Sequence, residues 1–153
     1  MTAALLAVGV CDVMNGAGLR PARRAGRITL MAGGIATMMV AAFPQPIRGN
    51  SVDHTIAATV AFITLACWPI LAVRRRAGAR VLSFGFAISA TVVTLGLLTW
   101  FTLEIHGSHR GLAERSAALA EAMWPLVVAI GARQSMRLRR TSRQAALSSA
   151  GAT

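Results

Sequence analysis

The sequence predicts an all-α protein, a polytopic transmembrane bundle of four or five helices. Composition is the first reason. The chain of 153 residues is 55% hydrophobic and 14% charged, against roughly 45–50% and about 25% in soluble domains. Its mean hydropathy is +0.58. The second reason is a series of arginine-free apolar runs close to the ~20 residues that a spanning helix needs. The third is where the charge falls. There are 16 basic residues against 5 acidic ones, a net charge of +11, and every basic residue is Arg, gathered between the apolar runs.

Taken in order, Thr2 to Leu19 is apolar to Val10 and then carries Asp12, Asn15, Gly16 and Gly18 before Arg20. It has no basic leader, so it does not read as a cleavable secretory signal. Two readings stay open: a spanning helix with its polar end turned to its neighbours, or the latter half of a helix begun upstream. Ile28 to Phe43 is the next run, stopped by Pro44-Gln45-Pro46. Thr55 to Val73 ends at Arg74, Arg75 and Arg76. Leu82 to Leu103 has Trp100 and Phe101 at one end, where an interfacial aromatic belt belongs. Ser116 to Ala132 closes the series at Arg133. Residues 1–135 therefore form the bundle, and 136–153 form a basic, partly disordered tail. The connecting loops leave no room for a separate catalytic domain.

The arginines set the orientation. Arg20, Arg23, Arg24 and Arg27 precede the second run, Arg74, Arg75, Arg76 and Arg80 follow the third, and Arg133, Arg137, Arg139, Arg140 and Arg143 fill the tail. Only Arg48, Arg110 and Arg115 fall on the other side. By the positive-inside rule the larger set faces the cytoplasm of a bacterial cell, across its inner membrane. Five helices would place the N-terminus outside and four would leave it inside. Short arginine groups split by bilayer-length runs also exclude nucleic acid as a partner, which calls for one continuous basic stripe. The expected partners are the bilayer, anionic lipid at the arginine-rich inner face, worth about 1 kcal/mol per Arg near the surface, and a membrane protein or a second copy of the chain.

Polar chemistry concentrates on the opposite, outer face. His54, His106, His109, Asp53, Glu104, Glu114 and Glu121 all lie in outer loops or outer helix halves, and Asp12 falls near mid-membrane if its run spans. An ionisable group inside a bilayer costs at least ~2.5–3.5 kcal/mol by insertion scales, so it has a partner or a purpose. Glu114 and Glu121, seven apart, share a helix face, with Glu121 about 9–10 Å deeper and Arg115 beside Glu114. Glu121 either joins helices through a hydroxyl or His, or lines a polar cavity opening outward. Asp53 and His54 open the third run, Asp53 suiting the positive helix start and His54 capping it. The alternative is that His54 meets Glu104, His106 or Glu114 across the bundle.

His106-Gly107-Ser108-His109 has the spacing of a metal-binding pair, but Gly107 and the loop context argue against the helix that pairing needs. His54, His106 and His109 are therefore the only metal candidates, and no metal or other cofactor is assigned. Haem needs histidines facing one another at depth, and none is placed so. Cys11 and Cys67 sit at different depths in apolar runs and read as small buried residues. The absence of Lys and Tyr excludes lysine Schiff-base and tyrosine acid–base chemistry. No nucleophile elbow, phosphate loop or dinucleotide motif is present.

Three pieces in order resemble the domain-of-unknown-function 998 family of multi-pass bacterial and archaeal membrane proteins. They are the apolar helix ending Ala42-Phe43-Pro44, the His54 that opens DHTIAATVAF, and Gly111-Leu112-Ala113-Glu114-Arg115 leading into the last helix. The resemblance covers roughly residues 20–140 and carries no settled activity. Family members have more helices, so the resemblance implies an N-terminally short copy. It also implies that His54, Glu114 and Arg115 are the residues that matter.

The functional expectation is a membrane protein without catalysis of its own. Its outer cluster of His54, Glu114, Arg115, Glu121 and Asp53 would hold the bundle together or bind a lipid headgroup or partner. Two alternatives are an intramembrane metal-assisted hydrolase acting on lipids and a transporter-like subunit. The orientation is directly testable: a topology reporter fused after Arg143 is expected to be active only in the cytoplasm. Periplasmic activity there would overturn it.

Overall fold

The computed structural model of the chain describes residues 2–46, 49, 51–74 and 80–150. Arg48, Arg75 and Arg76 lie outside the described residues. Five α-helices make up the fold: α1 (Thr2–Gly18), α2 (Arg24–Ala42), α3 (Val52–Ala72), α4 (Phe84–Leu103) and α5 (Arg110–Ala150). A 3₁₀ turn, Arg80–Leu82, leads into α4. No strand occurs among the described residues. Among the described residues the helices number five, Thr2–Gly18 being helical despite its polar second half.

Three helices, α2, α3 and α4, are long and apolar enough to cross a membrane. The helices also overrun their apolar runs. α2 begins at Arg24, α3 at Val52, and α5 extends from Arg110 through its arginines to Ala150. Hydropathy reports the thickness of the apolar layer, whereas helix ends are set by where backbone hydrogen bonding stops. Ser51 is the N-cap of α3, its hydroxyl accepting from the His54 N–H at 3.2 Å. The cap expected from His54 is therefore supplied by Ser51, whose short side chain can reach back to the first turn.

The bundle buries small residues and exposes large ones. Gly26, Gly33, Gly34, Ala36, Thr37 and Ala41 face inward on α2, and Ala57, Ala61, Ala66 and Ala72 on α3. Ile28, Ile35, Ile56, Ile63, Val92, Val93, Leu119 and Leu126 are exposed. This inversion suits a lipid surround, where apolar burial drives no association and close backbone packing does. α1 and α2 touch most intimately: a Cβ on Gly34 would lie 2.6 Å from the Gly9 carbonyl oxygen. α2 meets α3 as closely, since a Cβ on Gly26 would collide with the Ala72 backbone. α4 and α5 pack less tightly, and α5 closes the bundle with lighter contacts to α1 and α3.

The two ends differ. At the arginine-rich end Leu19, Leu30, Leu65, Trp68, Leu82 and Val128 form a packed core, with Phe86 stacked on Trp124 at 4.9 Å between ring centroids. Arg27 folds back there: its Nε donates to the Gly16 carbonyl at 2.8 Å and its Nη2 to Ala17 at 2.6 Å, closing the C-terminus of α1. Arg27 is thus a helix cap as well as a charge on the basic side. At the other end the helices stand apart around a cavity, beside which Phe62 and Phe101 meet at 5.8 Å between ring centroids.

Gly26→Val is expected to destabilise the protein by about 1–3 kcal/mol, the usual cost of overpacking. Gly96→Val, where a Cβ meets nothing within 4 Å, should be near neutral. Thermal unfolding of the two variants in one detergent checks the difference.

Candidate functional site

The end away from the arginine-rich core contains a cavity of about 780 Å³ that all five helices line, within the ~300–1,000 Å³ of ligand pockets. Its floor is apolar: Phe62 and Ile63 of α3 and Leu95 and Leu98 of α4. Its mouth is polar, with Gln45 from the α2–α3 turn, His54 at the start of α3, and Arg110 and Glu114 from the first turns of α5. From His54 to Ile63 the cavity runs about 13 Å down α3 at ~1.5 Å per residue. Thr55, Thr59, Thr99 and Thr102 form part of the walls. Each donates its hydroxyl hydrogen to a carbonyl of its own helix, at 2.8–2.9 Å. These walls therefore present methyls and lone pairs rather than donors.

His54 is held in one tautomer. Its Nδ1 lies 2.7 Å from the Phe43 carbonyl oxygen. A carbonyl only accepts, so Nδ1 carries the hydrogen, and Nε2 of the neutral ring keeps its lone pair. The bond ties the C-terminal end of α2 to the start of α3. The same turn is braced by the Ser51 N–H donating to Gln45 Oε1 at 3.1 Å. Pro44, which follows Phe43, also lines the mouth.

The structure brings His54 and Glu114 to one cavity and leaves the other cluster residues outside it. Asp53 is exposed in the first turn of α3, at its positive end. Arg115 is exposed. Glu121 is only 3% exposed and belongs to the interior, where it lies within electrostatic reach of Asp12, itself 2% exposed. Asp12 Oδ2 and Glu121 Oε1 are both buried without a hydrogen-bond partner. Pro125 lies four residues after Glu121 within α5, and its missing N–H frees the Glu121 carbonyl as well. The bundle interior therefore holds two carboxyls that each keep an oxygen without a partner.

His106 and His109 lie in the α4–α5 turn. Glu104 organises that turn: its Oε2 accepts from the His109 N–H at 3.2 Å and lies 3.9 Å from His109 Nδ1. Among the described residues no three His, Cys, Asp or Glu side chains converge as a metal site requires. Cys11 and Cys67 are both free thiols.

Sequence reasoning passed over Arg110 and the apolar floor. Arg110 and Glu114 are four apart, the spacing of neighbours on one helix face, but the apolar pattern starts that helix only at Ser116. Asp12 carried a plainer signal, as the lone acid in an apolar run.

A family model described as Protein of unknown function (DUF998) matches residues 1–131. No curated protein and no solved structure matches the chain.

Two substitutions separate the tether from the free face of His54. Asn carries an N–H close to where Nδ1 sits but nothing at Nε2. His54→Ala is expected to cost about 1 kcal/mol of stability through the lost hydrogen bond, and His54→Asn clearly less. Denaturant unfolding in detergent reads both.

Proposed function

The chain belongs to the DUF998 family of proteins of unknown function, and on that premise we propose a non-catalytic membrane protein that binds an amphiphile, a lipid, in its outer cavity. One observation carries this reading: a polar mouth of Gln45, His54, Arg110 and Glu114 stands over an apolar floor. A headgroup would meet the Nε2 lone pair of His54, the carboxylate of Glu114 and the guanidinium of Arg110, while its chain lay against Phe62, Ile63, Leu95 and Leu98. Exposed aliphatic side chains around the bundle give such a ligand a route from the bilayer. The arginine groups support an inner-membrane location with the tail in the cytoplasm and the cavity on the opposite side. Glu121 and Asp12 then serve the helix contacts beneath the site.

The test is the lipid that accompanies the purified protein, read by mass spectrometry. Ala58 lines the cavity, and Ala58→Trp should occupy it and remove most of the bound lipid with the helix content unchanged. His54→Asn should weaken retention while keeping the fold. Equal lipid in wild type and Ala58→Trp would overturn the proposal. Stoichiometric zinc lost in His54→Ala would instead favour a metal-assisted lipid hydrolase.

A further inference from the structure

A second cavity, of about 450 Å³, lies at the arginine-rich end, where α2 starts, α3 ends and α4 starts. Among the described residues Arg23, Ile70, Val73, Arg74 and Phe84 line it. Arg23 is the N-cap of α2, and its backbone N–H donates to the Ala72 carbonyl at 3.2 Å, which pins it to the end of α3. Arg74 is fixed in turn by its N–H bond to the Leu82 carbonyl at 3.4 Å. The backbones of both arginines are thus anchored on either side of one opening, whose other walls are apolar.

These two guanidinium groups have no carboxylate to pair with nearby in sequence. The five acids of the whole chain are Asp12, Asp53, Glu104, Glu114 and Glu121, and none falls in residues 19–34 or 67–86, which build this end. Arg27 finds its partners in the α1 carbonyls. Two helix starts and one helix end also meet at the cavity, so the negative pole at the end of α3 offsets one of the two positive poles. An anion arriving from outside the chain therefore meets no competing carboxylate from these two segments.

We propose that Arg23 and Arg74 form a binding site for the phosphate of an anionic phospholipid. A guanidinium pair offers the forked donors that phosphate accepts. Ile70 and Phe84 are exposed on the bundle surface beside them, so an acyl chain can follow the headgroup into the site. This apolar wall is what selects a lipid over free phosphate. The site is independent of the outer cavity and stands or falls separately from it.

The experiment measures affinity of the full chain for phosphatidylglycerol added to phosphatidylcholine nanodiscs, with inorganic phosphate as a competitor. Each of Arg23→Gln and Arg74→Gln is expected to weaken binding about tenfold or more, the loss of a charge-assisted hydrogen bond to phosphate rather than of surface attraction alone. Arg133→Gln, at the same end but outside the cavity, should change it far less. Phe84→Ala should also weaken binding, and millimolar inorganic phosphate should not displace the lipid. Equal losses in Arg133→Gln and Arg74→Gln would mean unspecific attraction to a charged surface and overturn the proposal. Displacement by inorganic phosphate would do the same. If Arg74→Gln does not fold, Arg23→Gln decides alone, because its exposed side chain leaves the anchoring backbone bond intact.

Discussion

The close approach of α1, α2 and α3 is the constraint on which the remaining architecture rests. Where Gly34 faces Gly9 and Gly26 faces Ala72, no side chain separates the backbones. Dispersion falls steeply with distance, so this contact supplies an attraction that apolar burial cannot supply in lipid. It also forces the large side chains outward. Ile28, Ile35 and Ile63 then become the lipid-facing surface.

The second half of the bundle lacks that glycine pairing. A Cβ at Gly85 or Gly96 on α4 would meet nothing, so α4 has no reason to approach α3 as closely. At one end the gap is filled by Trp68, Leu82 and Val128 and the stacked pair Phe86–Trp124. At the other end it is left as the cavity that His54 and Glu114 line. Cavity and core are two outcomes of one difference in helix spacing, decided by which end received the bulky residues.

Polar groups follow the same geometry. Thr37 and Thr94 return their hydroxyl hydrogens to carbonyls four residues back and so remain cheap to bury, whereas the buried hydroxyl of Thr91 has no partner. Carboxyls have no such local solution. Asp12 and Glu121 are enclosed because α1 and α5 close over them, and each keeps an unpartnered oxygen. His54 solves its own case with the Phe43 carbonyl.

Most of the helical plan was legible in the sequence. Arginine-free runs located α2, α3 and α4 to within about a turn, because a bilayer imposes its thickness on any chain that crosses it. α1 was harder to read, since Asp12, Asn15 and Gly16 look like the end of a helix. In the fold Asp12 and Gly16 are buried, Gly16 against Met31 of α2, so the polar end of α1 is turned to its neighbours. The site was legible only in part. His54 and Glu114 stood out as polar residues at the outer end, and they do share a cavity. Glu121 shares the helix face of Glu114 yet belongs to another environment, since periodicity gives the angle around a helix and says nothing of what fills the space opposite. Composition and run length alone determined a helical membrane protein, because they respond to the solvent around the chain. Which polar groups meet, which arginine caps a helix and which faces an opening were decided only by tertiary packing, where glycine contacts set the distance between helices.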